Sequence, residues 1–196
     1  MTSVLGPDAF DDLHDFIQVQ VAAGYASLDE IVDEAVEVFL DETLDPAGLR
    51  LAARAVADRA LAAHLAEQLT WPEMTDCDRL DAAFAELAGL GILARQHFSC
   101  CGTCGAHDIR EEMEQAEKSG FTSRGFTFFH IQDTEHAVAG EGLYLSYGAR
   151  QPDDKVSVAI GHQVMAALEQ QGLTPAWNGK LAHRIALPLR WQRRRA

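Results

Sequence analysis

The stretch HFSCCGTCGAHD, residues 97–108, gathers three of the chain's four cysteines and two of its eight histidines. Thiolates and imidazoles are zinc donors, and a closed zinc site needs four of them about 2.0–2.3 Å from the ion. Cys101-Gly-Thr-Cys104-Gly has the two-residue spacing of a zinc knuckle. Gly105, just after it, can adopt the left-handed conformation that turns backbone N–H groups toward the sulfurs. His107 stands three residues beyond Cys104 and offers a third donor. Spacing therefore predicts a metal set of Cys101, Cys104 and His107, with zinc as the implied cofactor.

Strand geometry removes two neighbours from that set. If residues 92–101 form one strand, Cys100 and Cys101 point to opposite faces, and Cys100 turns inward beside Phe98. His97 then lies about 13 Å from Cys101, at about 3.3 Å per residue. A fourth ligand must come from elsewhere: Cys77, His130, His136 or a nearby acid. Cys77 falls on the apolar stripe of its own helix with Leu80 and Phe84, which suits a buried small hydrophobe. His130 shares a strand face with Phe126 and Phe128 and reads as a histidine at the edge of the core.

Two other fates are open to the same sulfurs. A Cys-x-x-Cys pair can close to a disulfide and lower one thiol's pKa, so a thiol-dependent redox protein using Cys101 and Cys104 is one alternative. Against it, the next helix is predicted to begin only at Asp108, and no thioredoxin-like order of elements surrounds the pair. The other alternative is an interaction module without metal, its cysteines inert and buried. A histidine–carboxylate grouping at His130, Asp133, Glu135 and His136 marks a strand-to-helix junction. Asp133 or Thr134 is sufficiently explained there as an N-cap. Phosphate loops, nucleophile elbows, HExxH motifs and EF-hand loops are absent from the sequence.

The elements that must position these residues change character along the chain. Phe10, Leu13, Ile17 and Val21 recur at helical spacing up to Gly24. Ser27 with Glu30 forms a capping box, and Asp45-Pro46 opens a third, alanine-rich helix. Thr75 with Asp78 opens a fourth, ending at Gly91. From there strands are predicted at 92–101, 125–132, 142–148, 173–177 and 183–190, with helices at 108–118, from Asp133 or Thr134, and at 154–171. The connections at 132–142 and 178–182 are too short for crossover helices and favour antiparallel neighbours. The predicted class is α+β: a mostly antiparallel sheet of about five strands with helices on one face, after a helical N-terminal region. Domain boundaries are expected at 1–74 and 75–196.

Charge sharpens that division. Residues 1–74 carry 15 acidic and 3 basic side chains, whereas 75–196 carry 15 and 13. So acidic a surface repels phosphate backbones, and nucleic acid is not an expected partner. Arg190, Arg193, Arg194 and Arg195 form the one basic cluster, expected either to stay solvated or to pair with acidic helices of the same chain or a second copy. A homo-oligomer or a protein partner fits the second case. Neither a membrane-length apolar run nor the basic and apolar regions of a secretory leader is present, so a reduced cytoplasmic compartment is expected. There, clustered cysteines more often bind metal or react than form bridges.

WPEMTDCDRLDAAFAEL, GILARQHFSCCGTCG, FFHIQDTEHAV, GLYLSYG and RIALPLRWQRR together resemble an uncharacterised family of bacterial proteins, a domain of unknown function. The likeness spans about residues 65–195, and its most specific piece is the CCxTCG segment. It implies a bacterial, cytosolic protein and supplies no reaction. The function expected from the residues is a binding or regulatory module with a cysteine–histidine cluster able to hold a structural zinc ion.

Overall fold

The computed structural model describes residues 5–43 and 45–195. Residues 1–4, part of the stretch read above for a secretory leader, lie outside the described residues. The described chain forms two compact units, one running up to Glu73 and regaining the chain from Gln192 onward, the other spanning Met74–Trp191. Among the described residues, no helix is long and apolar enough to cross a membrane.

The first unit is helical. Helix α1 (Pro7–Ala23) buries Leu13, Ile17 and Val21, the periodic residues of the sequence, and stops at Gly24 with φ 81°. A Cβ at Gly24 would also sit 2.8 Å from the Arg193 side chain. Helix α2 (Leu28–Phe39) starts on the Ser27–Glu30 capping box, with both reciprocal bonds formed. After a single 3₁₀ turn, Leu40–Glu42, helix α3 (Pro46–Gln68) begins on an Asp45 cap. The three helices close on a shared core that includes Ile31, Ala35, Leu49 and Val56.

The second unit begins with helix α4 (Asp76–Gly89), capped by the Thr75–Asp78 box. Strand β1 (Ile92–Arg95), helix α5 (Gly102–Lys118), strand β2 (Gly125–Phe128) and helix α6 (Ile131–Val138) follow. Strand β3 (Leu143–Ala149), helix α7 (Asp154–Gln170) and strand β4 (Ile185–Leu187) complete it. The sheet order is β1-β2-β3-β4, with β1 parallel to β2 and the other two pairings antiparallel.

The α+β class with a helical start is therefore observed, but the sheet is mixed and four-stranded rather than a mostly antiparallel sheet of about five strands. The stretch from Gln96 to Arg124 is long enough to carry a helix, and that crossover makes the first pair parallel. The strand predicted at 173–177 shrinks to a single bridge between Ala176 and Ala186. Helices also cover both faces, not one. Leu93 and Phe128 pack with Ile109 and Met113 of α5, whereas Gly125 on the opposite face would place a Cβ 2.9 Å from Ile160 of α7. Ile92 and Leu93 are consequently both buried, as expected of a strand enclosed on both sides.

Candidate metal centre

The strand expected through Cys101 ends at Arg95, and the reason is backbone conformation. His97 and Ser99 both adopt left-handed φ values, 50° and 62°, the only non-glycine residues among those described to do so. An alternating strand cannot continue through such residues. The loop instead leans on the chain after β2: Phe98 N–H donates to the Phe129 carbonyl at 2.9 Å, and Ile131 N–H donates to the Ser99 carbonyl at 3.1 Å. Side chains pin it at two further points. His97 Nδ1 lies 2.9 Å from Thr134 Oγ1, and Ser99 Oγ donates to Asp108 Oδ2 at 2.7 Å.

This loop delivers Cys101 to the N-cap of α5, whose first residue, Gly102, stands six residues ahead of the predicted start at Asp108. Glycine at one place permits the packing of this first turn. At Gly105 a Cβ would meet the Phe128 ring at 2.5 Å, whereas at Gly102 a Cβ would make only ordinary contact with the His130 ring, at 3.6 Å. Gly105 therefore serves close helix–sheet packing; it is helical and does not make the left-handed turn expected of it. Cys104 consequently lies within the first helical turn.

The sulfurs of Cys100, Cys101 and Cys104 all lie within 4.8 Å of one another. Cys100 is exposed, contrary to the inward orientation expected, because the strand alternation that would have buried it is broken at His97 and Ser99. Cys104 is also exposed, Cys101 is half-buried, and all four cysteines are free thiols. His107 lies outside the group: its side chain is 73% exposed and its Nδ1 is 3.4 Å from Asp108 Oδ1. Cys77 is buried on α4, as its position on the apolar stripe implied.

Position at a helix start shapes the acidity of these thiols. Cys101 makes no regular cap hydrogen bond, yet the Cys104 backbone N–H, then the Cys104 thiol and the Thr103 N–H, hold its pKa below the ordinary thiol value. Cys104 moves the opposite way, pushed up to about 12 because its proton is shared with the sulfurs of Cys100 and Cys101. A thiol that ionises more readily beside one that holds its proton is the arrangement of an attacking thiol next to a resolving one. If a bound cation displaced all three protons into solvent, the same group would offer three anionic ligands at the positive end of a 17-residue helix.

The histidine–carboxylate grouping is structural. His130, not Asp133 or Thr134, caps α6; its Nδ1 accepts from the Asp133 N–H at 3.3 Å, and Asp133 Oδ2 accepts from the His130 N–H at 3.0 Å. Arg184 clamps the buried Asp133 carboxylate with both terminal nitrogens, at 3.0 and 2.5 Å. Burial holds the His130 pKa below its ordinary value. His136 is exposed one turn later. Arg184 escaped the sequence reading because it lies 51 residues from its partner. Cys100 left a fainter signal, its adjacency to Cys101 in the sequence.

An α+β unit with a mixed sheet and three free thiols, two exposed and one half-buried, gathered at a helix start is the class that fold and site define. The chain belongs to a family described as a domain of unknown function, DUF6891, whose profile matches residues 7–195. Neither the curated proteins nor the solved structures contain a match to it.

Proposed function

We propose that this is a cytoplasmic metal-binding protein of the binding or regulatory kind, holding zinc on the sulfurs of Cys100, Cys101 and Cys104. The observation that carries the reading is their convergence within 4.8 Å at the start of α5, unbridged and open to solvent. A tetrahedral zinc with bonds of about 2.3 Å separates its sulfurs by about 3.8 Å, so side-chain rotation of at most about 1 Å closes the site. His107, exposed and three residues beyond Cys104 on the same helix, is the side chain we assign as fourth ligand. Deprotonating Cys104 makes metal uptake release protons.

Metal analysis of protein purified without added zinc tests the reading. We expect about one zinc per chain, lost in Cys101→Ser and kept in Cys77→Ala; less than about a tenth of an ion per wild-type chain sinks it. In His107→Ala, retention of zinc with weaker affinity fits a fourth position taken over by water.

The lowered pKa of Cys101 favours one second reading, thiol-dependent redox chemistry with Cys101 attacking and Cys104 resolving. A metal-free protein whose Cys101 and Cys104 cycle between thiol and disulfide is its signature.

A further inference from the structure

We propose that the Cys100–Cys101–Cys104 group is a receptor for soft trivalent oxyacids, of which arsenous acid is the simplest probe. The proposal rests on the reading that these three sulfurs act on one centre, and it names a ligand that needs nothing more than they offer.

The donor count carries the argument. Among the described residues, no fourth cysteine, histidine, aspartate or glutamate comes within the same mutual reach. For zinc this is one ligand short. For a trivalent centre with a stereochemically active lone pair it is the complete set: three sulfurs form the base of a pyramid and the lone pair occupies the fourth direction. Soft thiolate donors also match a soft acceptor. Cys100 and Cys104 are exposed and Cys101 is half-buried, so the oxyacid can approach and its leaving groups can depart into water.

The loop and helix make the three sulfurs a preorganised chelate. Cys100 belongs to the pinned loop, Cys101 is the cap, and Cys104 lies one turn into α5, so their spacing is held by His97–Thr134 and Ser99–Asp108. A flexible dithiol captures two arsenic valences and leaves one hydroxide; here the third thiol stands beside the other two. Chelation by linked sites commonly strengthens binding by about a hundredfold or more without any new kind of contact.

The chemistry balances without an oxidant or reductant. Three As–O bonds of As(OH)₃ break and three As–S bonds form, and each thiol proton leaves with one hydroxide as water, three waters in all. Arsenic stays trivalent and sulfur keeps its oxidation state. Cys77, buried on α4, takes no part.

The test is titration of the reduced, metal-free full-length chain with arsenite, reading intact mass and counting free thiols before and after unfolding. Three thiols should disappear per arsenic, leaving Cys77 to appear only on unfolding. Cys100→Ser, Cys101→Ser and Cys104→Ser should each weaken binding about a hundredfold, while His107→Ala changes nothing. Consumption of only two thiols per arsenic, or single cysteine variants that bind as tightly as wild type, overturns the proposal. Zinc measured on the same protein before the metal is removed separates the two readings. Zinc bound with arsenite engaging two thiols overturns only this inference, three thiols per arsenic without zinc binding removes only the zinc assignment, and neither ligand bound removes both.

Discussion

The C-terminal end of α1 and the N-terminal end of α5 carry opposite partial charges, and the chain answers them differently. At the end of α1 the answer is the chain's own tail. Arg195 donates to the carbonyls of Val21, Gln20 and Ala26 at 2.7, 3.2 and 2.8 Å, and its backbone exchanges two hydrogen bonds with the Gln68 amide. Arg193 lies over the Tyr25 ring, 4.4 Å from its centroid. At the start of α5 the positive end meets three sulfurs that are held only by one another and by nearby N–H groups. A cation at a helix C-terminus and thiolates at a helix N-terminus both follow the helix dipole. One end is closed by the protein itself, and the other is left for something to arrive.

Arg195 goes to backbone carbonyls, and Arg193 lies over an aromatic face. Net charge describes the average field of a region, whereas the unmet carbonyls of a helix end are local, directional acceptors. Arg195 follows the second.

The largest expected effect lies at neither end but at the start of α6, where the chain has closed a helix terminus with buried charge. Asp133 is 2% exposed and answers Arg184 and the His130 N–H together. Asp133→Ala should destabilise the sheet unit by about 3 kcal/mol, the low end for breaking a buried pair, since Arg184 is about one-third exposed. Urea denaturation followed by tryptophan fluorescence measures it, and a loss below about 1 kcal/mol shows that the clamp carries no weight.

Closure of α1 by the tail predicts a smaller loss. Arg195→Ala removes three donors to carbonyls in a partly buried setting, and about 1–2 kcal/mol of stability should go with them. Hydrogen exchange should then rise in the last turn of α1 and around Gly24. Unchanged protection there breaks the comparison, because it makes the tail a passenger rather than a cap.

How much of this was legible follows from where each signal is written. Ser27 with Glu30, Asp45 with Pro46, and Thr75 with Asp78 mark helix starts at the positions observed, because a cap and its partner lie within three residues. The thiol group was legible as a composition but not as a geometry. Gly-Thr-Cys-Gly is poor helix-forming sequence, and α5 extends through it because Gly105 allows the close approach to the Phe128 ring. That contact is tertiary, so the helix appeared to begin at Asp108 and Cys100 appeared to face inward. The left-handed pair His97 and Ser99 has no local signature either, since its hydrogen-bond partners, Thr134 and Asp108, lie further along the chain.

The smallest thermodynamic effect should sit at the open end, and it sharpens the comparison most. Cys101 is half-buried, makes no regular cap bond, and serine keeps an acceptor at the same place, so Cys101→Ser should change metal-free stability by less than about 0.5 kcal/mol. Reactivity is where that residue should speak. A free thiol ionises near about pH 8.5, and a thiol whose pKa lies lower presents its thiolate at lower pH. Alkylation of the metal-free protein followed by peptide mapping should find Cys101 modified first near neutrality. Cys104, whose proton is held to about pH 12, should follow far more slowly, and Cys77 should be modified only on unfolding. Preferential modification of Cys104 at neutral pH reverses the assigned proton order. A large stability loss in Cys101→Ser makes the start of α5 a closed structural end like that of α1, and the contrast between the two helix ends then disappears.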